Sequence, residues 1–137
     1  MSPLVIALLV SPALAQTPGP KTKVVTAAQV NGVWRSYENY FSILALGQNK
    51  LKVQFEGVYH TIAKSVNTGD LLAEATIEGN VATLVPEDFK ECKITLTFLP
   101  GKLVVKQNDD DCGFGHNVRS DGTYKRIKTG KPKFDVR

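Results

Sequence analysis

His60 and His116 are the only imidazoles in this chain of 137 residues, and they cap the acid–base chemistry available to it. A Ser-His-Asp triad needs a positioned histidine between a nucleophile and a carboxylate, and the sequence holds no G-x-S-x-G elbow. His116 stands between Gly115 and Asn117, where it reads as a loop residue bonded to backbone, and His60 reads as the end of a strand. The run Asn108 to Asp111 sets oxygen-bearing side chains next to one another. Calcium takes six to eight oxygens spaced along a loop. Three adjacent Asp cannot all point at one ion, so a solvated acidic loop is expected there, not a metal site. Glu87, Asp88 and Glu91 read as surface charges, since a glycosidase needs two carboxyl groups facing each other across a cleft. No phosphate cradle or dinucleotide fingerprint follows a strand and opens a helix. Cys92 and Cys112 lie too far apart for a paired C-x-x-C zinc site. The expectation is a protein that is not an enzyme and carries no cofactor.

The least generic stretch is Asp109 to Val118. Phe114 lies between Gly113 and Gly115, so the backbone there can reach conformations closed to other residues. Such a loop can present a ring and an imidazole from a rigid scaffold. Phe114, His116 and Asn117 are therefore candidate binding residues, with Tyr124 close behind them.

The elements that position this loop begin with an address. Leu4 to Val10 is a short apolar run, and Ala13 and Ala15 form the A-x-A pattern of a signal-peptidase site. Residues 1–15 are thus expected to be a signal peptide, with export to the periplasm or the exterior. No Cys sits at the cleavage point to take a lipid anchor. An oxidising compartment would join Cys92 to Cys112, and closing that loop is worth roughly 3 kcal/mol on the chain-entropy argument. Residues 16–29 are expected to be a flexible leader, 30–128 one domain, and 129–137 a basic tail.

Within that domain, period-two alternation dominates. Leu51, Val53, Phe55 and Tyr59 share a face, with Gly57 continuing the row, opposite Lys50, Lys52, Gln54 and Glu56; Ala73, Ala75 and Ile77 alternate with Glu74, Thr76 and Glu78. Gly79-Asn80 marks a two-residue hairpin with Gly at the first turn position, as a type II′ turn wants. Cys92, Ile94, Leu96 and Phe98 alternate next, and Pro100-Gly101 turns the chain back. With segments at Gly32 to Tyr37, Tyr40 to Leu46, Val81 to Val85, Leu103 to Gln107 and Gly122 to Ile127, about eight strands are expected. One-sided alternation suits an antiparallel sheet, and closure removes its edges. The fold expected is all-β: a small antiparallel up-and-down barrel with one disulfide, the two-sheet sandwich being the other arrangement periodicity allows.

Several segments resemble known groups. Gly32-Val33-Trp34, Cys92 to Phe98, Cys112 to Val118 and Asp121 to Tyr124 together resemble uncharacterised small exported bacterial proteins with a CGFGHNV loop. Gly32-Val33-Trp34 at one end, with Tyr124-Lys125-Arg126 at the other, is similar to the lipocalin arrangement. That likeness implies Trp34 as a plug at one barrel end and Arg126 across its ring as a cation–π lid, with Lys125 as the second choice. The chain is shorter than full-length lipocalins, which implies a small or filled interior. Ser120 to Tyr124 is similar to the Ser-Gly-Tyr loops of periplasmic lysozyme inhibitors, with Asp121 inserted. This adds Ser120 and Tyr124 to the candidate binding residues.

The net charge of +4 and pI of about 9.1 come from the C-terminal end. Arg119, Lys125, Arg126, Lys128, Lys131, Lys133 and Arg137 stand there against Asp121 and Asp135. Such a tail attracts anionic headgroups weakly, while nucleic acid is not an expected partner of an exported chain. Two functions follow. One is a non-catalytic exported binding protein that engages a protein partner, such as a cell-wall hydrolase of the lysozyme kind. The other is a lipocalin-like carrier of a small apolar ligand.

Overall fold

A computed structural model describes residues 24–134. The expected signal peptide, most of the leader and the last residues of the tail lie outside them. Eight antiparallel strands close into a barrel in sequence order: β1 Gly32–Ser36, β2 Asn39–Gly47, β3 Lys50–His60, β4 Val66–Glu78, β5 Val81–Leu84, β6 Ile94–Leu99, β7 Lys102–Gln107 and β8 Gly122–Thr129. β8 returns to β1, so the up-and-down barrel is closed. The Gly79-Asn80 hairpin forms as the sequence predicts: Gly79 has φ +62° and Glu78 faces Val81 across the turn.

Two boundaries differ from expectation. Alternation marks only Ala73 to Glu78, yet β4 begins at Val66, because each residue of β3 from His60 to Lys50 finds a partner on it. The leader also ends early. Ala27–Val30 forms a single helical turn, α1, in which the Gln29 side chain accepts the Thr26 backbone N–H at 2.8 Å. The Val30 side chain is buried, and this anchors the turn on the barrel.

The interior is solid. Phe41, Ile43, Val53, Phe55, Leu84, Ile94, Leu96 and Leu103 are all fully buried. Ring contacts cross it: Phe41 lies 5.0 Å from both Phe55 and Tyr124, and Trp34 meets Phe98 edge-on at 5.8 Å. Phe55, Leu96 and Phe98 are among the side chains that pack this interior, with Ile77 partly buried against them.

The two ends differ. One, the turn end, has the tight turns β2–β3, β4–β5 and β6–β7, together with α1. The other, the loop end, has the β1–β2 turn and the three longer connections 61–65, 85–93 and 108–121.

Candidate functional site at the loop end

The loop of residues 108–121 is fixed before it reaches solvent. The Cys92–Cys112 disulfide ties it to the start of β6, with Cα atoms 5.0 Å apart. Asn108 donates to the Glu91 carbonyl at 2.7 Å and accepts the Lys93 N–H at 3.0 Å. The Asp111 carboxylate accepts the Gly113 N–H at 2.8 Å. These side chains of the acidic run thus hold backbone. Farther on, the Gly115 N–H donates to the Thr68 carbonyl at 2.9 Å, and the Asn67 amide donates to the His116 carbonyl at 2.9 Å.

Phe114 packs against the core and keeps part of its surface exposed. Its ring lies 5.0 Å from Phe55 and over Gly69, where an added Cβ would stand only 2.7 Å from Phe114. It is a half-buried stopper that closes the loop end of the barrel. Ser120 and Tyr124, also expected as binding residues, are both fully buried. Tyr124 faces inward from β8 because Gly122 and Thr123 set the alternation there. Its hydroxyl donates to the Ser120 carbonyl at 2.8 Å, and Ser120 in turn donates from N and Oγ to the Gln107 side chain at 2.8 and 2.7 Å. Burial pushes the Tyr124 hydroxyl well above its ordinary pKa; the Asn39 side chain opposes this and the Asp121 charge adds to it. His116 and Asn117 alone of the expected loop residues remain exposed, Asn117 with φ +64°.

A different feature stands out at this end. The β1–β2 turn is Tyr37-Glu38, flanked by Ser36 opposite Asn39. Tyr37 has φ +53° and is 92% exposed. Positive φ at the first central position is where a type II′ turn places Gly. Tyr37 lines an open cleft of about 450 Å³ together with Ser36, Glu38, Asn39, Val58, Asp121, Gly122 and Thr123. Glu38 pairs with His60 on its far side. Asp121 is held by Arg119 Nε at 2.7 Å and by the Gln107 N–H at 2.9 Å. Ile62, at the tip of the β3–β4 connection, is fully exposed. The sequence reading passed over Tyr37 because it extends a strand segment. The available signal was a bulky ring between Ser36 and Asn39, where two strands must reverse.

Charge separates along the barrel axis. Among the described residues, every carboxylate except Glu74 and Glu78 lies in the half toward the loop end.

At the turn end the structure brings Trp34 and Arg126 together. The guanidinium lies 5.2 Å from the Trp34 ring centroid and donates to the carbonyls of Ala28 and Asn31 at 2.6 and 3.1 Å. The Trp34 indole N–H donates to the Val30 carbonyl at 3.0 Å. Lys125 stays on the outside, at the rim of an open cleft of about 560 Å³ that Leu99 and Pro100 also line.

Among the described residues, no group of three His, Cys, Asp or Glu is placed to hold a metal ion. The chain matches no known protein-family profile, no curated protein and no solved structure.

Proposed function

We propose that this protein is a non-catalytic exported binding protein whose loop end docks on a cationic protein partner. Tyr37 carries this reading. A non-glycine residue in the left-handed region costs roughly 1–2 kcal/mol, and the Tyr37 ring recovers none of that by burial. Strain of this kind concentrates where a side chain is wanted for contact, and exposed tyrosines are common anchors of protein interfaces. The wider surroundings support a cationic partner: Glu38, paired with His60, and Asp121, paired with Arg119, line the cleft, and exposed Asp109, Asp110 and Asp111 leave carboxylates in excess on the adjoining loop. Complementary charge then speeds encounter and sets orientation. The packed core supports recognition at the surface of the barrel.

A cell-wall hydrolase of the lysozyme kind, itself basic, is the concrete candidate. The segment similar to inhibitor loops supplies Asp121, Gly122 and Thr123 to the cleft, while Ser120 and Tyr124 brace it from the core. The test is calorimetric titration of a basic lysozyme, with its cell-wall hydrolysis followed in parallel. Binding is expected to weaken by about tenfold or more in Tyr37→Asn, the range in which anchor residues fall, and less in Glu38→Gln. No binding by the unaltered protein, or equal affinity in Tyr37→Asn, would overturn the assignment.

A further inference from the structure

The turn end carries the opposite charge and a second surface, and the argument for it does not depend on the loop-end reading. Lys50 opens β3, Lys102 opens β7, and Lys125 and Lys128 lie on β8; all four are exposed. They come from strands far apart in the sequence, and closure of the barrel gathers them around one rim. Apolar side chains stand between them. Leu46 at the end of β2 is 46% exposed, and Leu99 at the end of β6 is 36% exposed. Ile127 is the extra residue of a bulge in β8, because Val33 pairs with Lys128 and Trp34 with Arg126, and it is half-exposed. Glu78 is the one described carboxylate at this rim, with Glu74 four residues below it on the same strand.

We propose that this rim docks on an anionic lipid bilayer, the lysines facing headgroups and Leu46, Leu99 and Ile127 entering the interfacial layer. Cations around partly exposed aliphatic side chains match a surface that is negative above and apolar below. The alternative polyanion, a nucleic acid, calls for rings on which bases stack, and the exposed rings Tyr37, Tyr59 and Phe89 all lie at the opposite end. Phe134, in the tail, lies against the barrel wall with its ring 4.4 Å from the Lys52 ammonium.

The test is co-sedimentation of the full chain with vesicles of phosphatidylcholine alone and of phosphatidylcholine mixed with phosphatidylglycerol. The apolar residues 4–10 are uncharged, so they act alike on both vesicle types, and the difference between the two reads the rim. Binding is expected to favour the anionic vesicles and to fall as salt shortens the Debye length. Lys102→Glu with Lys128→Glu should reduce it by about tenfold or more. Lys64→Glu with Lys93→Glu, at the loop end, makes the same change in net charge and should leave it within about twofold. Equal loss in the two double variants would assign the effect to net charge and overturn the proposal. Equal binding to both vesicle types would also overturn it.

Discussion

Tyr37 and Gly79 occupy the same position in two hairpins of one barrel, at φ +53° and +62°. Glycine reaches that region at no steric cost, and tyrosine does not. Tyr37→Asn keeps a residue that tolerates the conformation, so it is expected to raise unfolding stability by roughly 0.5–1 kcal/mol in urea titration while weakening partner binding. A gain in stability that costs binding separates a functional side chain from a structural one. Tyr124 is the opposite case. In the unfolded chain its hydroxyl ionises near pH 10, but in the barrel burial holds the proton to higher pH. The folded state therefore binds more protons above that point, and the stabilisation present below about pH 10 is lost as pH rises through the folded-state pKa. Tyr124→Phe should flatten this alkaline loss in stability measured against pH. It should also cost about 1 kcal/mol at neutral pH, through the bond to the Ser120 carbonyl.

At the scale of elements, the loop of residues 108–121 is a lid made rigid by what it covers. Gly69 and Gly115 are needed because Phe114 and the Thr68 carbonyl come within 2.7 and 2.6 Å of where their Cβ atoms would be. Those contacts bring the loop onto the first half of β4, beyond the reach of β5, which pairs only with Ala75 to Glu78. The disulfide holds the other side of the lid, 20 positions apart in sequence. Reduction is expected to lower stability by roughly 3 kcal/mol, read as a lower Tm with and without reductant. The β6 face was legible from alternation, since one buried face imposes period two on side chains; β3 follows it only in part, because Gln54, expected outside, is buried and Tyr59, expected inside, is 40% exposed. The start of β4 was not legible, because Gly69, Asp70 and the adjacent Leu71 and Leu72 break that period and pairing with β3 supplies the order.

At the scale of the molecule, the two ends of the barrel differ: most described carboxylates and the exposed rings Tyr37, Tyr59 and Phe89 lie at the loop end, and a rim of lysines with Leu46, Leu99 and Ile127 lies at the turn end. If the turn end seats on a bilayer, the Tyr37 cleft faces away from it into solution. The two surfaces share no residue, so Tyr37→Asn is expected to leave vesicle binding unchanged, and the Lys102/Lys128 double variant to leave partner affinity unchanged. Coupling in either direction, seen in the same titrations, would mean that the ends communicate through the core. Linear sequence assigned the excess of positive charge to the C-terminal tail. The fold distributes it over a rim built from β3, β7 and β8.

Features under local physical control were legible along the chain. Alternating apolar residues defined most strands, a glycine at the first turn position defined the Gly79 turn, and the two cysteines of the chain defined one bridge. Tertiary structure decided which side of the barrel wall each candidate occupies. Phe114 became a stopper, Ser120 and Tyr124 became core, and Tyr37, unmarked in the chain, became an exposed ring lining the loop-end cleft. The physical reason is that burial and charge at a barrel end depend on which distant strands close next to one another, and no period along one strand records that.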